Sequence, residues 1–468
     1  MIVAVLMLLP FLAALAMWLL RGRLCRSILI SAALIQAVLA ARLLGCGEVM
    51  LHIGGVKFGS TAGDIGKWVL MITSVLFVLV SLQLPAWLTA DGKAGKVRHG
   101  ETGMPGYLLA TLVLVFVGTM NLTALARDFG MLWVAVEATT LASAPLINFH
   151  RSKSSLEAMW KYLLLCSLGI GLALFGTMLL SAGLPAGAAL DFDAVTAVDP
   201  QWFKAAFIFC FAGYGLKTGL APFHSWLPDA HSEAPAPVSA LLSGSLLNCA
   251  LIGLLRIRDA APEELLGFCN GFFICFGMLS LVIAACFIIK QKDFKRMLAY
   301  SSVEHMGLIA LMFGFMLPEA AKIHMLFHSM CKMMLFLIAG NLVLAYGVRR
   351  VDAVRGAFSR FKRNGKLWLP GVLLLCGVVP SPLFFTEWAL VQRAGLLTGG
   401  VVLLLLLVIF CAMSDIVLKM SMGDADEPEL PEIDAAAEKL TVIPALTMVL
   451  VMGSGLWFCV QVFLSLIN

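Results

Sequence analysis

Lys217 places an ammonium group inside the apolar run Phe207 to Leu220, within the stretch YGLKTGLAPFHSWLPDAH, and Pro222 follows five residues later. An ionisable group in a membrane span is expensive, and by default it marks an ion pathway. The lysine lies too far from either end of the run to snorkel easily to water. Glu137, in MLWVAVEATTLASAP, supplies a carboxylate at similar depth in another apolar run. Burial disfavours an isolated ammonium and a nearby carboxylate restores it, so making and breaking a Glu137–Lys217 pair would shift a proton. The competing reading of Glu137 is a carboxyl that merely ties helices together.

A second set of candidates lies further along. In AKIHMLFHSMCKMMLFLIAGNL, His324, His328 and Lys332 are spaced four apart and so share one helical face. Imidazoles titrate near neutral pH, which suits a proton relay. Structural hydrogen bonding is one alternative; metal binding by the two histidines is another, with no third ligand evident in the sequence. Glu304 and His305 are adjacent in YSSVEHMG and must point to different sides of their helix; His305 is the pathway candidate, and Glu304 is assigned to a neighbouring helix face. Glu387, in PSPLFFTEWAL, closes the series. Auxiliary candidates are Lys161, which could snorkel from a helix end, and His224, Asp229 and His231 after the Pro222 break. Asp229, His231 and Glu233 would either cap the next helix or guide protons inward. Asp415 and Lys419 read as interfacial.

The elements that must hold these groups are membrane helices. The 468-residue chain is 61% hydrophobic and 13% charged, where a soluble domain carries roughly 25% charged residues. Segments of about 20 mainly apolar residues occur fourteen times, at 2–20, 27–45, 67–89, 106–124, 129–149, 156–182, 203–226, 236–257, 266–290, 297–317, 321–347, 367–392, 398–420 and 441–466. The expected class is an all-α polytopic membrane protein. The opening MIVAVLMLLPFLAALAMWLL runs on to Arg21, Arg23 and Arg26 without a cleavage site, so it reads as a retained first helix.

Basic residues collect in alternate loops: Arg21, Arg23 and Arg26; Lys93, Lys96 and Arg98; Arg151 and Lys153; Lys290, Lys292, Lys295 and Arg296; and Arg349 to Lys366. By the positive-inside rule these loops are cytoplasmic and both termini external. The loop GDADEPELPEIDAAAEK departs in being acidic, though acidic residues weigh little in that rule. Spans 7 and 12 are interrupted by proline (Pro222; Pro370, Pro380 and Pro382), and each carries an ionisable group five residues from its break. Paired interrupted helices point to inverted repeats around an ion site at mid-membrane. The expected organisation is helices 1–3 over 1–104, one five-helix repeat over 105–260, an inverted second repeat over 261–422, and an acidic loop with a last helix over 423–468.

Other chemistries find little support. The twelve cysteines are scattered, with no CxxC or Cys/His ligand spacing for iron–sulfur or structural zinc sites. No GxGxxG opens a βα unit and no Walker loop occurs. The chain is expected to carry no cofactor or metal of its own and to bind no nucleic acid.

KTGLAPFHSWLPDAHSEAPAPVSALLSG, DFKRMLAYSSVEHMGLI and HSMCKMMLFLIAG resemble the antiporter-like subunits shared by respiratory complex I, Mrp-type cation/proton antiporters and membrane-bound group 4 hydrogenases. The similarity covers about residues 105–400, and SSVEHMG with the overall length is most similar to component F of hydrogenase-4, formate hydrogenlyase-like complexes. The resemblance implies fourteen core helices with broken helices 7 and 12. It further implies a helix 5 glutamate paired with a helix 7 lysine, matched by Glu137 and Lys217; helix 11 histidine and lysine positions at His328 and Lys332; and a helix 12 terminal position at Glu387. Where many members carry a helix 8 lysine, this chain has Asn248, an amide that cannot carry a proton but can hold water. The chain stops after span 14, without the lateral-helix extension of the most distal complex I subunit.

The resemblance implies a proton-translocating membrane subunit of a multi-subunit redox complex, hydrogenase-4 or formate hydrogenlyase-like in the first place and complex I-like, quinone-reducing, in the second, in a prokaryotic inner membrane. Its partners would be other membrane subunits and a peripheral redox arm carrying iron–sulfur clusters and Ni-Fe. Two other readings stay open: a Na⁺/H⁺ antiporter subunit of the Mrp type or standing alone, and a proton-inactive scaffold, suggested by Asn248.

Overall fold

Apolar segments of membrane length have no water to satisfy their backbone groups, so each must close its own hydrogen bonds as a helix. A computed structural model describes the chain apart from residues 22–23, 54–55, 62, 99–103, 186–189, 193–194, 196–197, 362, 423–439 and 468, and apart from the side chains of 93–98 and 462–467. Arg23, Lys362, the acidic 423–439 loop and the side chains of Lys93, Lys96 and Arg98 therefore lie outside the described residues.

In chain order the helices are α1 (Ile2–Leu19), α2 (Cys25–Gly45), α3 (Ile65–Arg98), α4 (Gly106–Leu125), α5 (Phe129–Ile147), α6 (Lys153–Gly183), α7 (Pro200–Thr218), α8 (Trp226–Glu233), α9 (Ala236–Asp259), α10 (Glu263–Ile288), α11 (Phe294–Gly314), α12 (Pro318–Tyr346), α13 (Ala357–Arg360), α14 (Asn364–Leu375), α15 (Pro382–Ser421) and α16 (Val442–Ile467). A two-stranded antiparallel hairpin, β1 (Val49–Ile53) with β2 (Val56–Ser60), lies between α2 and α3 and is absent from the all-helical expectation.

Twelve of the described helices are long and apolar enough to cross a membrane, against fourteen expected spans. The difference arises at the two breaks. Expected span 7 is divided into α7 and α8, and span 12 into α14 and the first turns of α15, which then runs through span 13 across a non-helical Gly395 (φ 78°, ψ 171°). Each break contains a cis prolyl bond, Ala221–Pro222 and Val379–Pro380.

The residues cluster into two compact units: 1–82, 103–234 and 245–272 in the first, and 83–102, 235–244 and 273–468 in the second. In the first unit α7 packs along α6 through small residues. A Cβ on Gly213 would lie 2.4 Å from the Gly169 carbonyl oxygen, and one on Gly176 would lie 2.6 Å from Cys210 Sγ. Small residues at such crossings let helix backbones approach closely, and this approach brings Lys217 to α6. One end of the unit is tied by Asp64, which is buried. Its carboxylate accepts from the guanidiniums of Arg127 (2.9 Å) and Arg256 and from the Gly66 N–H (2.7 Å). Both guanidiniums lie over the Phe192 ring, at 5.5 and 4.7 Å. In the second unit α12 is the central helix, packed by α11, the first turns of α9, α14, α15 and α16. A Cβ on Gly340 of α12 would lie 2.1 Å from the Ala236 Cβ.

Candidate functional site

In the first unit, α7 stops at Gly219, whose φ of 81° and ψ of 22° form a left-handed cap, so Lys217 occupies the last turn of its helix rather than mid-span. The Leu216 carbonyl next to it accepts from the Trp226 indole N–H at 2.9 Å, and the Trp226 ring packs 4.9 Å from that of Tyr162. Lys217 is fully buried. Its Nζ donates to the Thr140 hydroxyl at 2.6 Å and to the Tyr162 hydroxyl at 2.8 Å. Thr140 in turn donates to Glu137 Oε2 at 3.2 Å, and Ser167 donates to Glu137 Oε1 at 2.8 Å. Glu137 and Lys217 are thus joined through one hydroxyl rather than by a direct ion pair.

The Tyr162 branch has a fixed polarity. Ser143 donates to the Thr139 carbonyl at 2.6 Å, so it accepts from Tyr162 at 2.7 Å, and Tyr162 accepts from Lys217. That branch ends on a carbonyl, which takes a hydrogen bond but passes no proton. The Thr140 branch ends on a carboxylate, which can take one.

The second unit holds the other set. His305 Nδ1 and His324 Nε2 are hydrogen-bonded at 3.0 Å, and His324 Nδ1 and Thr386 Oγ1 at 2.8 Å. The His328 ring lies 4.9 Å from that of His305, and neither of its nitrogens has a hydrogen-bond partner among the described residues. Lys332 is fully buried; its Nζ donates to the Leu298 carbonyl at 2.7 Å and to the Ser301 hydroxyl. Glu304, also buried, has Lys332 and Glu387 as charged neighbours. One nitrogen from each of His305 and His324 and one Glu387 oxygen lie within 4.8 Å of one another. Glu387 thus sets a carboxylate beside the two imidazoles. The 3.0 Å hydrogen bond already engages a nitrogen of each imidazole, so the arrangement is that of a relay.

Glu387 enters on the first turns of α15, beyond the 376–381 break. Gly377 (φ 69°) lies so close that a Cβ there would stand 2.4 Å from Glu387 Oε2.

The auxiliary residues take simpler places. Lys161 pairs with Asp229 at 2.6 Å, and Ser154 donates to Glu233 at 3.0 Å, so α8 is pinned to α6. His224 and His231 are buried beside the first break. Asn248 is fully buried in α9, just past a π-helical turn (Leu242–Leu246) whose Gly244 carbonyl accepts from Ser329 at 2.6 Å. Asp415 and Lys419 form an exposed pair at 2.5 Å. The sequence reading passed over Thr140, Tyr162, Ser143, Ser167, Ser301 and Thr386. Two signals were available: Thr140 stands three residues from Glu137, hence on its face, and Tyr162 is one of only five tyrosines.

Comparison with known proteins bears on these residues as a set. The chain is 35% identical over 324 residues to the hydrogenase-4 component F homolog of Methylacidiphilum infernorum, covering 66% of this chain and 68% of that one. It is 29% identical over 361 residues to NADH-quinone oxidoreductase subunit N of Desulforudis audaxviator, covering 74% and 70%. Its fold matches a chain in the structure of the membrane-bound sulfane sulfur reductase, an archaeal respiratory membrane complex, with a TM-score of 0.84 at 21% identity over 97% of this chain and 94% of that one. The family described as NADH:quinone oxidoreductase/Mrp antiporter, transmembrane, matches residues 126–414. That span takes in every candidate from Glu137 to Glu387, and the chain is a member of this family of antiporter-like membrane subunits.

Proposed function

We propose that this subunit moves protons within a multi-subunit redox complex of the hydrogenase-4 or formate hydrogenlyase type. The carrying observation is the hydroxyl-bridged set Glu137–Thr140–Lys217. Lys217 gives a proton to the Thr140 oxygen as Thr140 gives its own to Glu137. One proton moves, the threonine is unchanged, and an ammonium and a carboxylate bridged by a hydroxyl become a neutral amine and a carboxylic acid. Redox-driven changes in a partner subunit would set which state is favoured, because a small shift in the charge felt by Lys217 tips that balance.

The hydrogenase-4 relative and the absence of a recognisable cofactor motif support partners that carry the redox groups, iron–sulfur clusters and Ni-Fe, on a peripheral arm beside further membrane subunits. The hydrogenase-4 relative supports a prokaryotic inner membrane, and the basic loops support both termini external. The two breaks support inverted repeats over 105–260 and 261–422.

The test is proton uptake by vesicles holding the whole complex. Lys217→Ala and Glu137→Gln are each expected to abolish it, and uptake unchanged in both sinks the proposal. A second reading, an Mrp-type Na⁺/H⁺ antiporter subunit, is favoured by the breadth of the family. It predicts Na⁺-dependent exchange without electron donor and no iron–sulfur or nickel protein on purification.

A further inference from the structure

The hydrogen bonds around His324 have a direction that the residue types alone do not reveal. Thr386 Oγ1 lies 2.8 Å from the Leu383 carbonyl, and a carbonyl only accepts, so the single hydroxyl proton of Thr386 is committed to Leu383. The 2.8 Å contact with His324 Nδ1 must then be a bond in which the ring N–H donates and Thr386 accepts. The reverse assignment would forfeit the Leu383 bond at a threonine that is 3% exposed, where little water can replace it. With its proton on Nδ1, neutral His324 presents a bare lone pair at Nε2. The His305 contact at 3.0 Å is therefore donated by His305 Nδ1.

We propose that Thr386 is a positioning residue of the relay: anchored on the Leu383 carbonyl, it holds His324 as the Nδ1–H tautomer and makes Nε2 its only proton-accepting atom. This rests on the proton-transport reading and adds a one-sided port to it. A proton arriving on His305 Nε2 drives the Nδ1 proton across to His324 Nε2. His305 is left neutral, protonated on Nε2, and His324 becomes the imidazolium; one positive charge is present before and after. The far side of His324 is closed, because the one Thr386 proton points at the Leu383 carbonyl, which cannot take it. The proton must leave by Nε2, either back to His305 or to Glu387, which belongs to the same 4.8 Å cluster. Which ring nitrogen of a histidine carries the proton is set by the hydrogen bond the other makes, and here that bond comes from Thr386, the residue next to Glu387.

The experiment uses the whole complex with ¹⁵N-histidine in this subunit, His324 being assigned by the signal lost in His324→Gln. Solid-state NMR should find the neutral His324 protonated on Nδ1 in the wild type and in Thr386→Ser. Thr386→Val should move that proton toward Nε2 and slow vesicle proton uptake roughly five- to tenfold, with Thr386→Ser restoring both. A wild-type His324 protonated on Nε2 overturns the assignment outright, even if no variant assembles. So does Thr386→Val with tautomer and uptake unchanged, or Thr386→Ser failing as valine does. Lys217→Ala separates the two readings: if it abolishes uptake while Thr386→Val alters nothing, only the tautomer lock is lost. If Lys217→Ala and Glu137→Gln both leave uptake intact, the transport reading fails, and the NMR signal still decides the lock.

Discussion

Lys217 and Lys332 are both fully buried, and each has a glutamate as its charged neighbour, but different atoms hold them. Lys217 donates to two side-chain hydroxyls, one of which leads directly to Glu137. Lys332 donates to a main-chain carbonyl and to Ser301, which itself leans on that same Leu298 carbonyl. A hydroxyl accepts and donates at once, so it can hand a proton onward; a carbonyl cannot. The first lysine is wired to exchange its proton. The second donates to groups that pass no proton onward, beside a cluster of histidines that can do the exchanging.

The sharpest way to break this contrast is to remove one hydroxyl from each side. Thr140→Val should slow proton uptake about 100-fold, the scale of a lost proton-transfer group, and Thr140→Ser should recover most of it. Ser301→Ala should change uptake by no more than about threefold, because the Leu298 carbonyl still holds Lys332. Equal effects from the two variants would erase the distinction.

Gly377→Ala probes the second unit at its break. A side chain at φ 69° is strained, and the new Cβ would collide with the Glu387 carboxylate. A stability loss of about 1–2 kcal/mol is expected by thermal unfolding of the complex, with uptake reduced through displaced Glu387. Reduced stability with normal uptake would mean Glu387 does not depend on that placement.

The smallest effect belongs to Asp229→Asn, which removes the partly exposed pair with Lys161. A change of about 0.5 kcal/mol and an uptake rate near the wild type are expected. A large loss of uptake would instead put Asp229 on the proton path.

The charged members of both clusters could be read from the chain because a lysine or glutamate in an apolar run stands out against its surroundings. Their hydroxyl partners could not. Serine and threonine are common in membrane helices and usually bond their own backbone, as Thr111, Thr177 and Ser74 do to carbonyls four residues back. Whether Thr140 also reaches a lysine depends on how closely α5, α6 and α7 pack, which is set by small residues such as Gly169 and Gly213 and leaves no periodic mark. The span count misled for a related reason. Hydropathy runs continuously through Pro222 and Pro380, while the helices stop short of them at Thr218 and Leu375. Lys217 was therefore expected at mid-helix and stands instead at a helix end.

That position has a mechanical consequence through Trp226. One indole fastens to the final turn of α7 by its N–H and rests its face on Tyr162, which holds Lys217. Trp226 begins α8, and α8 also meets α6 through the partly exposed Lys161–Asp229 pair and the Ser154–Glu233 hydrogen bond. A strut of this kind couples the placement of α8 to the hydroxyl that holds a buried ammonium, so the short helix beyond the break and the lysine before it are fixed by the same side chain.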